Sequence, residues 1–430
     1  MYHPAVKCGV ILYIGKKFVY LFQICHEMGQ PVRKIIKDAH PELTAEPFYT
    51  LIVDGTNLLR ISFADTDRYN TEGLHYGAVY QFLYQLRKMM EKRPFDYVYV
   101  FFDDEDSGIL RYRIYNDYKA NRDKNYAEHD SNVELSDYMK QVDAWVKRTM
   151  NYYNKKRAQE NHKKKKDLTD QERFVKENFE RERNMLCRYF GELFIRWQMD
   201  GKTEGDDLIS YYVNHKKPEE RIVIMSTDED ITQLIRENVC VYNIRNKIAY
   251  STQNFKSEKG FPHENVVLKK IFLGDASDNI GNIRGVSETR LLELMPEIKE
   301  RPVTVEEVKD RAKLMCEERV KAKKKPLAWQ ENIVNGVANK EYNGDFYEIN
   351  DKLINLDHPL LTKEAEEELK GMMYNAQDPE GRSFTNLYKY ITEDGIREFF
   401  NSNTFGDFFL PFKELANKEK KRYEKMYGRK

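Results

Sequence analysis

Apolar residues enter this chain in short, sharply bounded runs. Leu51-Ile52-Val53 and the stretch Tyr97 to Phe102 have the length and composition of buried strands, and each ends at an acid, Asp54 and Asp103. Between them, apolar and aromatic positions recur at helical spacing from about Tyr76 to Met90. Two strands joined by a helix predict a parallel βαβ unit, and in open parallel sheets ligands gather beyond the carboxyl ends of the strands. Leu193-Phe194-Ile195 and Ile222 to Met225 are further strand candidates, leading to Glu204 and Asp228. Val239 to Tyr242 and Lys247 to Thr252, separated by Arg245-Asn246, predict an edge hairpin.

Helical periodicity governs much of the remainder. Ser131 and Glu134 have capping-box spacing ahead of Leu135, Met139, Val142, Val146 and Met150, and Thr169 with Glu172 opens a second helix through Val175, Phe179, Leu186 and Phe190. Lys163, Lys164, Lys165 and Lys166 fall between them, so a helical hairpin with a basic tip is expected. Val266 to Leu273 and Glu288 to Met295 are short helices around a loop punctuated by Gly281 and Gly285. The free backbone N–H groups of such a loop would suit a phosphate-backbone clamp. From Arg301 onward charged amphipathic helices lead to an aromatic stretch, Phe399 to Phe409, and a basic tail from Lys413. Residues 1–46 carry little periodicity beyond a possible small hairpin within Val10 to Leu21. The expected organisation is an α/β fold with a mostly parallel central sheet flanked by helices. Residues 1–46 form an extension, 47–252 a sheet domain with a helical insertion over about 123–190, 253–300 the helix-loop-helix clamp, and 301–430 a helical C-terminal region.

Composition changes this picture in two places. At 430 residues the chain exceeds what one core usually holds. Lys+Arg and Asp+Glu are both 71, yet basic residues crowd 155–166 and 413–430 while acids crowd the strand ends, so a neutral sum conceals a basic surface around an acidic pocket. The 5 cysteines are scattered, odd in number and without a CxxC pair, which argues against a disulfide framework or zinc site and for a reducing cytoplasm. The apolar stretch Cys8 to Cys25 is broken at Gly15-Lys16-Lys17, too short on either side to span a bilayer, so no membrane association is expected.

The candidate chemistry lies in the acids. Asp54, Asp103, Glu204, Asp206, Asp207, Asp228, Asp230, Asp275 and Asp278 all fall at predicted strand ends, helix starts or connecting loops. Any one of them alone reads as an ordinary helix cap. Together they are the oxygen donors that two magnesium ions about 4 Å apart require, and Mn2+ is expected to substitute. With no nucleophilic Ser or Cys motif evident, phosphodiester hydrolysis by metal-activated water is the expected reaction.

The same residues resemble the flap endonuclease family, which includes the 5′ exonuclease domain of bacterial DNA polymerase I and phage 5′ nucleases of the ribonuclease H type. The resemblance rests on five ordered motifs between residues 49 and 295. They are Leu-Ile-Val-Asp54-Gly-Thr-Asn; Phe-Phe-Asp103 with Arg111 and Tyr118-Lys119-Ala-Asn-Arg122; Glu204-Gly-Asp206-Asp207; Ser-Thr-Asp228-Glu-Asp230-Ile-Thr-Gln-Leu; and Gly274-Asp275-Ala-Ser-Asp278-Asn-Ile. It implies a PIN-like sheet domain with a helical arch, a helix-three-turn-helix duplex clamp and two groups of metal ligands. Asp54, Asp103, Glu204, Asp206 and Asp207 would serve the first group, directly or through water, and Asp228, Asp230, Asp275 and Asp278 the second.

The resemblance further implies that Lys119, Arg122 and Arg111 act at the scissile phosphate. Tyr118 is expected either to stack on a base or to pack in the interior. Lys163 to Lys166 would either form a solvated hairpin tip or meet a single-stranded 5′ end, and Gly281, Arg284, Gly285 and Ser287 would grip the duplex. Where family members usually carry Gly-x-Gly followed by Lys, this chain reads Arg284-Gly285-Val286-Ser287-Glu288-Thr289. The expected function is a magnesium-dependent 5′ nuclease removing RNA primers or flaps in replication. It would act as a monomer in a bacterial or phage-infected cytoplasm on DNA with a 5′ flap, a nick or an RNA–DNA hybrid, with a single-stranded DNA-binding protein or a sliding clamp as protein partner. The segment Glu393 to Phe400 loosely resembles a clamp-binding peptide but lacks its glutamine and reads better as a core helix. The alternatives are a PIN-class ribonuclease cutting single-stranded RNA and a non-catalytic DNA-binding protein.

Overall fold

A computed structural model describes residues 12–14, 17–19, 46–65, 68–104, 106–120, 134–149, 169–396 and 402–428. The described residues fall into two units, those up to 48 with 217–221 and those from 49 to 216 with 222–428. In the first, β1 (Leu12–Ile14) and β2 (Lys17–Val19) pair antiparallel with Tyr13 opposite Phe18, the hairpin expected in this region.

The second unit is built on strands β3 (Phe48–Asp54), β4 (Tyr97–Asp103), β5 (Arg196–Asp200), β6 (Glu220–Met225), β7 (Val239–Asn243) and β8 (Ile248–Tyr250). Their order in the sheet is β5-β4-β3-β6-β7-β8. β3 with β4, β4 with β5 and β6 with β7 run parallel, and β8 turns back antiparallel at the edge. Leu51, Ile52, Val53 and residues 98–102 are 0 % exposed, because helices cover both sheet faces. This double burial is why the strands read as unbroken apolar runs.

Helices α1 (Gly55–Asp65) and α2 (Gly77–Lys92) connect β3 to β4. α3 (Ile109–Ile114), α4 (Asp137–Thr149) and α5 (Asp170–Leu193) lie between β4 and β5, and α6 (Gly205–Asn214) between β5 and β6. After β8 come α7 (Phe255–Lys259), α8 (Asn265–Leu273), α9 (Glu288–Leu294), α10 (Val305–Lys321), α11 (Ala328–Asn335) and α12 (Phe346–Ile354). The chain closes with α13 (Lys363–Met372), α14 (Phe384–Glu393), α15 (Ser402–Phe408) and α16 (Leu410–Tyr427).

Two apolar cores divide these helices. Phe82 and Leu86 of α2, Leu186 and Phe190 of α5, Leu387 and Ile391 of α14 and Phe412 of α16 pack with the sheet in one core. Ile109 of α3, Met139 of α4, Phe272 of α8, Leu291 of α9, Val308 of α10 and Ile349 of α12 pack in the other. The chain beyond residue 300 therefore splits: α10 to α12 buttress the clamp helices, while α14 and α16 pack with the sheet. The two helices of the expected hairpin likewise go to different cores, α4 to the clamp side and α5 to the sheet side. Among the described residues, no helix is long and apolar enough to cross a membrane.

Two local expectations are corrected. Leu193-Phe194-Ile195 is not a strand: Leu193 ends α5, Phe194 caps it in the left-handed region at φ 57, and the strand begins at Arg196. The three apolar side chains are buried at the helix end. The strand itself escapes notice because polar residues fill its inward positions: Arg196 pairs with Glu419 at 2.6 Å and Gln198 donates to the Ala365 carbonyl at 2.9 Å. The Ser131–Glu134 box does not open α4 either. Ser131 lies outside the described residues, and the helix starts at Asp137 with the Ser136 hydroxyl accepting the Met139 N–H at 3.3 Å. The second box holds: Thr169 and Glu172 cap α5 reciprocally.

Candidate active site

The carboxyl ends of the parallel strands set the geometry. Asp54 is the last residue of β3, and Gly55 follows because a Cβ there would lie 2.7 Å from the Phe102 ring and 2.8 Å from the Phe101 carbonyl. The Asp54 carboxylate accepts the Asn57 N–H at 3.0 Å and the Ser226 hydroxyl at 2.8 Å. Asp103 ends β4; its carboxylate accepts the Gly205 N–H at 2.7 Å, which ties β4 to the first turn of α6, where Asp206 stands. Asp228 follows β6, with its N–H on the Ser226 hydroxyl at 3.0 Å and its carboxylate accepting the Asp230 N–H at 2.9 Å.

Two of these acids, Asp54 and Asp206, are raised by burial and by their acidic neighbours. Burial, then Asp103 and Asp228, push the Asp54 carboxyl up to about 7. Burial followed by Asp228, Asp54, Asp103 and Glu204 raises Asp206 far above the usual carboxylate range. Among the described residues no ion pair reaches Asp54, Asp103, Asp206 or Asp228, and no hydrogen bond reaches the Asp206 carboxylate.

The other acids are neutralised internally. Arg111, 5 % exposed, spans Glu204 and Asp207, with Nη2 donating to Asp207 at 3.1 Å, and anchors its Nε on the Leu353 carbonyl at 2.9 Å. Against the cost of burial, Asp207 and Glu204 hold its guanidinium firmly charged. Lys119 also pairs with Glu204; although burial opposes it, Lys119 and Arg111 draw the Glu204 carboxyl down to about 2. Lys270 of α8 bridges Asp230 and Asp275, and Asp275 further accepts the Ser277 N–H and hydroxyl at 2.8 and 2.6 Å. Asp278 accepts the Tyr118 hydroxyl at 3.1 Å, and its carbonyl takes the Lys119 N–H at 2.9 Å, docking the acidic loop on the segment after α3.

Three of the expected site residues are buried in this arrangement. Tyr118 is 2 % exposed, its ring packed in the second core and its hydroxyl within reach of Glu204 and Asp278, which is the packing arrangement of the two expected for it. Arg111 is enclosed by its own acids and positions them. Asp207 is 1 % exposed with both oxygens taken, one of them also by the Leu360 N–H at 2.9 Å, so it orients Arg111 and offers no open donor. Arg122 and Lys163 to Lys166 lie outside the described residues.

The two expected helices, α8 and α9, flank a glycine-punctuated loop, but most of its loop N–H groups are not free. Gly281, Asn282 and Arg284 donate to Tyr342, Asn339 and Val337, and Ile283 to Phe272. The N–H groups of Gly285 and Ser287 take no acceptor among the described residues. Arg284, Gly285 (φ +79) and Ser287, the N-cap of α9, form an exposed edge. Lys270, Ser226 and Asn57 were missed as site residues because their partners are distant in sequence or are backbone groups.

A family model described as the 5′-3′ exonuclease, N-terminal resolvase-like domain matches residues 49–260. Residues 49–260 belong to the 5′-3′ exonuclease and flap endonuclease family. Relatives of this family include DNA polymerase I of Bacillus subtilis (strain 168), 25% identical over 251 residues covering 57% of this chain and 23% of that protein. The 5′-3′ exonuclease of Mycoplasma genitalium is 36% identical over 108 residues, 24% of this chain and 37% of the relative. The matches thus span well under half the length of either relative. The T5 D15 protein, co-crystallised with metal ions, shares the fold with a TM-score of 0.52 at 16% identity, over 75% of this chain and 97% of that one.

For this member of the 5′-3′ exonuclease family, the donor set fits a hard divalent cation: carboxylate oxygens, from buried Asp54 through half-buried Asp103 and Asp206 to exposed Asp228, without a counter-charge among the described residues. As the side chains stand, no group of three or more described His, Cys, Asp or Glu side chains closes around a single ion. The four unpaired acids repel one another, and the remaining ones are drawn toward Arg111, Lys119 and Lys270.

Proposed function

We propose that this protein is a divalent-metal-dependent 5′ nuclease that hydrolyses phosphodiesters in DNA carrying a 5′ flap, a nick or an RNA–DNA hybrid. Its role would be to remove RNA primers or flaps during replication, in a bacterial or phage-infected cytoplasm. One observation carries the reading: Asp54, Asp103, Asp206 and Asp228 meet where the parallel strands end, with no ion pair from any described residue. Membership of the 5′-3′ exonuclease family and similarity to the Mycoplasma genitalium 5′-3′ exonuclease support it.

Asp54, Asp103, Asp206 and Asp228 would hold Mg2+, or Mn2+ in its stead, with Asp230, Asp275 and Asp278 as donors toward a second ion. Divalent ions bound there would stabilise charge on the phosphoryl oxygens and lower the pKa of a water nucleophile. The protein's own groups complete the site. Ser226 and Asn57 fix the Asp54 oxygens, and the Gly205 N–H fixes Asp103. Arg111 holds Glu204 through a buried ion pair, so that Lys119, at the rim, can exchange Glu204 for a substrate phosphate. The exposed Arg284 and the N–H groups of Gly285 and Ser287 would track the duplex backbone. That clamp favours a duplex-dependent enzyme over a ribonuclease of single strands.

End-labelled flap, nicked, pseudo-Y and RNA–DNA hybrid substrates, each incubated with Mg2+ or with a chelator, test the proposal. Cleavage is expected only with metal and only where a duplex adjoins the 5′ strand. Equal cutting in chelator, or preference for single-stranded RNA, would overturn it.

A further inference from the structure

Lys270 occupies an unusual position for a lysine beside proposed metal donors. It stands in the last turn of α8, and Gly274 follows at φ +69, where a Cβ would lie 2.6 Å from the Ile280 carbonyl. Asp275 is thereby folded back toward the helix: its N–H donates to the Ile280 carbonyl at 3.1 Å and its carbonyl accepts the Ile280 N–H at 2.8 Å. One carboxylate oxygen is held by Ser277 and the other faces Lys270 Nζ at 2.7 Å. On the opposite side the same ammonium pairs with a buried oxygen of Asp230, the residue whose N–H caps Asp228. Among the described residues Lys270 is the cationic partner of both acids, which belong to different segments and would repel one another without it.

We infer that Lys270 is a resident counter-ion that fills the place of a divalent cation between Asp230 and Asp275 and must swing away before an ion can bridge them. The inference rests on the proposed metal-dependent reading of this site. A place for the displaced ammonium is built in. Lys270 also lines a cavity of about 330 Å³ bounded by Phe261, Leu273 and two acids, Glu229 and Glu288, so the side chain can rotate from one pair of carboxylates toward another. Those acids are already paired with Lys259 at 2.5 Å and Lys269 at 2.6 Å, so the moved ammonium is compensated there only in part and returns when the ion leaves. Lys270 thus acts as a positioning residue: it stabilises the metal-free protein and, by competition, sets the concentration at which the second ion binds.

Calorimetric titration of Mn2+ into the metal-free protein, with melting curves of the same samples, tests this without relying on catalysis. In Lys270→Met and Lys270→Gln the weaker Mn2+ step should tighten by at least about tenfold while the stronger step changes little, since a fixed positive charge has been removed from between two ligands. Lys270→Arg, which keeps the charge, should bind Mn2+ as wild type does. Metal-free Lys270→Met and Lys270→Gln should melt below wild type, and saturating Mn2+ should close the gap. Unchanged or weaker binding in both neutral variants, with wild type binding normally, overturns the counter-ion role and leaves the metal-dependent reading standing. Failure of wild type to take up Mn2+ at all overturns that reading, and the inference with it.

Discussion

Two sets of carboxylates border the same sheet edge and are treated in opposite ways. Asp54, Asp103, Asp206 and Asp228 are left to repel one another. Glu204 with Asp207, and Asp230 with Asp275, are each neutralised by a basic side chain reaching in from a neighbouring helix or turn. Identical chemistry thus produces two kinds of site. A group with a built-in counter-ion is stable as it stands and serves as scaffold or as a competed donor. A group without one stores electrostatic energy until a cation arrives.

The largest test of the contrast is catalytic. Asp206→Ala or Asp228→Ala should lower flap cleavage by at least about a thousandfold, a loss of about 4 kcal/mol or more in transition-state stabilisation, with duplex affinity largely retained. Normal turnover by either variant would remove the unpaired group from the active site. Next in size, Arg111→Met strips the paired group of its guanidinium and leaves buried Glu204 and Asp207 partly uncompensated. A destabilisation of about 3–5 kcal/mol is expected in chemical denaturation, and a neutral outcome would mean the pair is not buried as described.

A third prediction concerns pH. Asp54 has its ordinary value of 3.8 pushed up to about 7 in the folded, metal-free protein, so the folded state binds this proton more tightly than the unfolded chain does. Its contribution to stability is complete below about pH 4 and is lost as pH rises through about 7. The metal-free melting temperature should therefore fall across that window, and Asp54→Asn should flatten the slope. The smallest effect belongs to Ser226, whose hydroxyl donates to Asp54 at 2.8 Å: Ser226→Ala should cost the metal-free protein about 1 kcal/mol, and no cost would show the hydrogen bond to be idle.

How legible the site was follows from where each partner lies. Asp54 and Asp103 announce themselves because they terminate fully buried strands, and Asp228 because Ile222 to Met225 precedes it. β5 was hidden because its buried positions are polar and their partners, Glu419 and Ala365, lie more than a hundred residues away. The division of the acids into paired and unpaired sets could not be read at all. Lys270 follows Asp230 by 40 residues and Arg111 precedes Glu204 by 93, and no periodicity encodes such contacts. The clamp helices were visible as apolar runs around glycines. The occupation of their loop by Val337, Asn339 and Tyr342 was not, since residues 337–342 carry no motif.

The central claim is that the unpaired carboxylates store repulsion that a divalent ion relieves, and it is tested most directly by melting wild type and Asp206→Asn with and without Mg2+ at neutral pH. The metal-free variant should melt higher than metal-free wild type, and Mg2+ should raise wild type by more than it raises the variant. A metal-free variant that melts lower than wild type, or a wild type whose melting temperature ignores Mg2+, would contradict the account.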